Sequence, residues 1–238
     1  MSISRRRALS LSGATLAGLS MGVVTPESLG ARQEEQDWPE GLVERPRRAG
    51  FPAPLPLNPD GSAPEHPEGA AGPITDPVLW RTEGRTTPEI DFDYRNLRVK
   101  VDTRGLATLT GTLHFEDLRA LPPVSGTFLL QCGATNPHGI VKWTGVRFGD
   151  FADMLGLIPE AQYCRVVGSD GRYADEPMTT MRRSQVMLAW MMNDAPIPPQ
   201  HGAPLRLVVP FRYGQRSIKA IQEITFATPG LPMPPLPA

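Results

Sequence analysis

The chain has 238 residues, 40% of them hydrophobic, which suffices for the core of one ordinary domain plus extensions. Its 24 basic and 25 acidic side chains leave a formal charge of -1, so no global field recruits nucleic acid or an acidic membrane. Any anion site must therefore come from local charge, and the two cysteines allow at most one disulfide.

The chain opens MSISRRRALSLSGATLAGLSMGVV, in which Arg5, Arg6 and Arg7 precede an uncharged, weakly apolar run from Ala8 to Val24. Ser4-Arg5-Arg6-Arg7-Ala8-Leu9 follows the twin-arginine export pattern with Ala8 in place of the aromatic. The run is too short and too rich in Gly and Ser for a spanning helix, which needs about 20 mostly apolar residues. Residues 1–30 read as an export signal to the periplasm, with a retained anchor as the alternative. Twin-arginine export carries folded proteins, so this leader is indirect evidence for a cofactor inserted in the cytoplasm. In an oxidising compartment a Cys132–Cys164 disulfide is the plain structural alternative for both thiols, yet nothing local brings the two together.

From Pro39 to Pro77 ten prolines alternate with Gly, Glu and Ala. Such a segment builds no core of its own, and residues 31–77 are expected as an extended arm. The expected domain covers 78–227. NLRVKVD and LATLTGTLHF alternate as half-buried strands, and EDLRALPP predicts a short helix stopped by Pro122. GTFLLQC is apolar almost throughout and predicts a central strand. GDFADMLGL spaces Phe151, Met154 and Leu155 as a helix that ends at Gly156. QYCRVVG and SDGR predict a strand and turn, VMLAWMMND a buried strand, and PLRLVVP and SIKAIQEITFA further strands. Short helices among many strands give an α+β domain. Residues 228–238 repeat the arm's composition and are expected as an extended strap.

Cys132 closes GTFLLQC where the strand breaks into GATNPHG, and a thiol at a strand exit can meet a ligand held above the sheet. From Ala195 to Gln222 there is no acidic residue, yet the segment supplies His201, Arg206, Arg212, Arg216 and Lys219. One-signed clustering with a serine hydroxyl suits a phosphate-like anion. Gly202, Pro204 and Gly214 fix turns that bring His201, Arg206 and Lys219 together, while Arg212 reads as an exposed strand end.

QHGAPLRLVVPFRYGQRSIK resembles the H-G-x-P-L-R-L-V-V-P and Y-G-x-(R/K)-S-I-K signature of the molybdopterin-binding domain of sulfite oxidases and periplasmic methionine-sulfoxide reductases. VMLAWMMNDAPIP, KWTGVRFGDFADML and LLQC resemble further motifs of that family, in order, from about Val78 to Thr225. The resemblance implies an α+β domain with mixed sheets and short helices that binds Mo-molybdopterin. It implies Cys132 as the thiolate ligand of molybdenum, and His201, Arg206, Ser217 and Lys219 as pterin and phosphate ligands. By the same resemblance Thr82 and Glu83 fall in the cofactor segment. Arg81 and His138 are candidates for the electrostatics of the pocket near Cys132, with a solvated turn residue as the alternative for His138.

The pattern also departs from sulfite oxidases. Their Arg-x-His becomes Arg81-Thr82-Glu83, and Cys132 is followed by Asn136 and His138 but no arginine before Arg147. Thr82-Glu83-Gly84 is closer to the Tyr-Glu-Phe-Gly of the sulfoxide-reductase branch, although that branch has Asn where His201 stands. The expectation is an exported molybdenum oxidoreductase that transfers an oxygen atom on a small neutral oxo-compound such as a sulfoxide. The alternatives are a sulfite dehydrogenase feeding a cytochrome c and a non-catalytic scaffold of the same fold. With no C-x-x-C-H for haem, electrons are expected to pass to a separate cytochrome c or membrane haem protein. Nucleic acid is not an expected partner, and membrane contact is expected only through a partner or an uncleaved signal.

Overall fold

The computed structural model describes residues 54–73, 80, 82, 86–132 and 138–229, all within the unit that begins at Arg48. The export signal at 1–30 and all of the strap at 228–238 beyond residue 229 lie outside the described residues.

Among the described residues two sheets and three short α-helices make an α+β domain. One sheet orders its strands β2 (Gly111–His114), β1 (Arg98–Asp102), β10 (Ile221–Ala227), β5 (Tyr163–Gly168) and β6 (Tyr173–Pro177). Within it β1 and β10 run parallel, pairing Lys100 with Glu223 and Asp102 with Thr225, and the other pairs are antiparallel. The second sheet orders β3 (Pro123–Gln131), β4 (His138–Arg147), β7 (Met187–Met192) and β8 (Ala195–Pro196), with β9 (Arg206–Val208) also on β7. The helices are α1 (Phe115–Arg119), α2 (Phe148–Met154) and α3 (Met178–Met181). Trp143, Phe148, Phe151, Phe226, Leu118 and Met181 are fully buried in one core, and each such side chain contributes about 1.5–3 kcal/mol by leaving water.

The apolar run of β7 is largely buried, as expected, and lies inside its sheet: β4 pairs along one edge, and β9 and β8 share the other. Helix α2 stops where expected, with Leu155 as C-cap and Gly156 at φ 69°. Two expectations need correction. LATLTGTLHF is a strand only over Gly111–His114. Arg104 and Gly105 turn the chain at φ 50° and 76°, and the amides of Thr108 and Leu109 donate to the carbonyl of Leu155 rather than to a neighbouring strand. GTFLLQC, in turn, lies on an edge strand, not a central one. Its apolar face is buried around Phe128, while the arm satisfies a polar group at that edge, His66 N–H donating to Thr127 O at 2.8 Å, and Gly72 N–H donates to Ile140 O at the start of β4 at 3.0 Å.

Over its described residues, 54–73, the arm is extended apart from a 3-10 turn at Glu68–Ala70, and side chains of the domain fasten it. Gln185 holds both backbone groups of Ala63, at 2.9 and 2.8 Å. The Asn193 amide donates to Gly72 O at 2.9 Å, and Lys142 bridges Glu68 and Asp194 at 2.9 and 2.8 Å.

Candidate functional site

Cys132 is the first residue beyond β3, half-buried, with a free thiol. The last backbone pair before it is Gln131 with His138, so His138, exposed at the start of β4, stands at the same hairpin end. Asn136 lies outside the described residues. Cys164 is also free; it is fully enclosed in the other sheet, paired with Phe226, and burial pushes its thiol well up. The disulfide alternative is therefore not what this fold holds: the two cysteines belong to different sheets.

The basic segment assembles at this end of the second sheet by two turns. The first is the 3-10 turn Pro199–His201, closed by Gly202 at φ 107°. A Cβ on Gly202 would meet Lys219 Cβ at 2.8 Å, so its missing side chain lets the two loops touch. The second is the 3-10 turn Gly214–Arg216. A Cβ on Gly214 would press on Leu130 at 3.1 Å and approach Gln131 O at 3.5 Å, which sets this loop against the strand end that carries Cys132.

Arg206 is 4% exposed. Its Nη1 donates to the His201 carbonyl at 2.5 Å, its Cζ lies 5.2 Å from the Trp143 ring centre, and its Nε has no hydrogen-bond partner among the described residues. Burial, reinforced by Arg172, holds its pKa down at about 10, while Cys132 works the other way. Lys219 Nζ donates to the carbonyl of Gln200 and sits 4.9 Å from the Trp80 ring centre. Burial, then Arg206, depress its pKa to about 7, with Arg172 adding to the effect and Asp170 and Cys132 opposing it. His201 is pushed down to about 4 by burial and by the charges of Arg206 and Lys219, so its ring is neutral at pH 7. Buried Ser217 accepts from Val209 N–H at 3.0 Å through Oγ, which leaves its own hydroxyl hydrogen to donate.

Arg206 and Lys219, with Arg172 acting on both, are cations crowded where water is scarce, an unfavourable arrangement alone and a favourable one around an anion. Arg206, Lys219, His201 and Ser217, with Cys132 beside them, could hold a ligand with an anionic end and a soft metal. Of the other expected site residues, half-buried Thr82 donates its hydroxyl to Thr86 O, and Arg81 and Glu83 lie outside the described residues. Arg212 is exposed, and Arg216 pairs with the buried Glu176 at 2.6 Å. Sequence reasoning missed Arg172, which it saw only as part of a turn, and Trp80, which carries no local pattern. Arg172 arrives through the turn between β5 and β6, where Gly168 N–H donates to Arg172 O and Ser169 N–H to Ala220 O, at 2.8 and 2.9 Å.

Comparison with known proteins adds a lineage to this geometry. The family described as "Oxidoreductase molybdopterin binding domain" matches residues 85–230, more than half of the chain. An oxidoreductase named YuiH from Bacillus subtilis is 31% identical over 51% of this chain and 62% of its own length. The protein-methionine-sulfoxide reductase catalytic subunit MsrP of Campylobacter jejuni is 28% identical over 62% of this chain and 55% of its own. The chain thus spans less than two thirds of either relative. Among solved structures, the sulfane dehydrogenase SoxCD of Paracoccus pantotrophus aligns with a TM-score of 0.53 over 86% of this chain and 59% of that one, at 19% identity.

Proposed function

The chain belongs to the oxidoreductase molybdopterin-binding domain family, and from that premise we propose that it is an exported mononuclear molybdenum oxidoreductase that transfers an oxygen atom on a small neutral oxo-compound, a sulfoxide foremost. The observation that carries the reading is the Cys132 thiol beside buried Arg206, whose Nε has no partner among the described residues. That is the donor set a pterin with a phosphate end and a thiolate-bound metal requires. Similarity to a methionine-sulfoxide reductase subunit supports the choice of substrate.

When bound, Mo-molybdopterin supplies the two-electron oxygen-transfer chemistry. Cys132 would hold the metal through its soft thiolate. Arg206 offers its free Nε–H and Lys219 its ammonium to the anionic end, Ser217 donates its hydroxyl hydrogen, and neutral His201 hydrogen-bonds without adding a fourth charge. Trp143 walls the guanidinium from solvent and fixes its plane. Thr82 and Glu83 extend the cofactor segment. Arg81 and His138 set the charge of the substrate pocket, where Glu83 brings a negative charge that disfavours the sulfite dianion. At an effective dielectric of about 20, two unit charges some 4 Å apart repel by roughly 4 kcal/mol. Residues 1–30 direct the chain to the periplasm, and a separate haem protein exchanges its electrons.

The test is purification of the full chain after molybdate-replete expression, followed by metal analysis and a substrate screen. The reading expects about one molybdenum per chain and reduction of methionine sulfoxide or dimethyl sulfoxide by a reduced dye. Protein without molybdenum supports the scaffold alternative, and rapid sulfite oxidation with cytochrome c at a micromolar KM replaces the sulfoxide reading.

A further inference from the structure

One buried side chain at the site has no part in the scheme above. Trp80 is 4% exposed, yet its Nε1 has no hydrogen-bond partner among the described residues. Buried indole N–H groups are normally paired, and an unpaired one marks either an energetic loss or a missing ligand. The ring face is occupied by the Nζ of Lys219 at 4.9 Å, a contact in which the negative face of the indole attracts the ammonium. Lys219 needs such help, since burial, Arg206 and Arg172 all act against its charged form. The Gln200 carbonyl accepts from the same ammonium, so Lys219 is held by a backbone oxygen and by an aromatic face together.

We propose that Trp80 is a binding and positioning residue of the cofactor site: its ring keeps the Lys219 ammonium charged and in place, and its N–H donates to the same anionic group that Arg206 and Lys219 bind. The proposal rests on the molybdopterin reading and adds to it a residue that reaches the site from the segment preceding β1.

The experiment uses the full chain in cofactor-free form, with inorganic phosphate as the probe, alongside the loaded protein. Trp80→Phe keeps a ring over Lys219 and removes the N–H donor; Trp80→Leu removes both. Isothermal calorimetry at pH 7.5 is expected to show phosphate binding about tenfold weaker for Trp80→Phe and about a hundredfold weaker for Trp80→Leu, the ranges implied by a lost charge-assisted hydrogen bond and a lost cation–π contact. Molybdenum content of the loaded variants should fall in the same order. The pH dependence of Lys219 acylation, followed on its peptide by mass spectrometry, should shift to lower pH in Trp80→Leu and stay near that of the parent in Trp80→Phe. A purely structural tryptophan would not move that profile.

Unchanged phosphate affinity in Trp80→Phe overturns the donor role, and an unchanged Lys219 profile in Trp80→Leu overturns the positioning role. If Trp80→Leu does not fold, the phosphate affinity of Trp80→Phe alone decides. A parent without molybdenum, whose phosphate binding is also indifferent to Arg206→Ala, sinks the molybdopterin reading and this proposal with it. A loaded parent that loses molybdenum in Arg206→Ala but not in either Trp80 variant sinks only the role given to Trp80.

Discussion

Replacing Arg206 with Met should change the cofactor-free and loaded proteins in opposite directions. The guanidinium is buried, and its pKa of about 10 against an ordinary 12.5 corresponds to roughly 3 kcal/mol by which folding disfavours its charge. Methionine removes that penalty and fills similar space, but it also removes the bond from Nη1 to the His201 carbonyl at 2.5 Å. Such a bond contributes about 1.5–3 kcal/mol when its donor is charged. The two nearly offset, so the cofactor-free variant should be as stable as the parent or better by up to about 2 kcal/mol. For a domain of this size that is a rise of up to about 6 °C in melting temperature. In the loaded protein the same change removes the buried partner of an anion, lowering cofactor affinity by about 10- to 150-fold. Scanning calorimetry on cofactor-free protein and metal analysis of loaded protein read the two effects. A cofactor-free variant that melts several degrees lower, or a loaded one that keeps its molybdenum, would refute the view that Arg206 is held in the fold for its ligand.

Cys132→Ser should abolish turnover and any thiolate-to-metal absorption band while leaving the stability of cofactor-free protein within about 1 kcal/mol of the parent, since the residue is half-buried at a hairpin end; full activity would show that the thiol is not the ligand. Cys164→Ala should lose about 1 kcal/mol or somewhat more of stability from a packed core position and keep its metal, and a metal-free Cys164→Ala protein would exchange the roles of the two cysteines. The stability of cofactor-free protein should rise with pH in two windows, from about 4 to 6.5 for His201 and from about 7 to 10.5 for Lys219, because between those values the unfolded chain binds the extra proton. Chemical denaturation across pH checks this, and a flat profile from pH 7 to 9 would contradict the burial of Lys219. Phosphate binding at pH 8.5 should draw a proton onto Lys219, read as a calorimetric enthalpy that depends on the buffer's ionisation heat; identical enthalpies in all buffers would exclude that coupling.

The parts of the fold that could be read from sequence are those whose pattern is local. The run MLAWMM is apolar on every position and could only be an interior strand, and Phe151, Met154 and Leu155 before Gly156 write a helix and its stop. Strand β6, YADEP, was not legible: it alternates polar with small residues and ends in proline, and its pairing with β5 defines it. The edge position of β3 was hidden for a related reason, since its apolar run records burial by the core while the arm supplies an edge hydrogen bond from some sixty residues upstream. The same division holds at the site. His201, Arg206, Ser217 and Lys219 lie within one acid-free stretch, so their shared charge announced them. Arg172 and Trp80 are single residues in unremarkable contexts, and only the β5–β6 hairpin and the approach of the segment before β1 bring them to Lys219.

The parallel pairing of β1 with β10 joins residues more than a hundred and twenty positions apart in sequence, Lys100 with Glu223 among them, with their side chains bonded at 3.2 Å. A pairing of that span forms late, because the intervening loop must close first. During synthesis the first sheet lacks its middle strand until residue 227 has emerged, and Ser217 and Lys219 emerge just ahead of it. The anion site and the strand that completes the sheet therefore come into being together. A nascent chain that stops short of residue 227 lacks both the middle strand of the first sheet and a finished place for an anionic ligand.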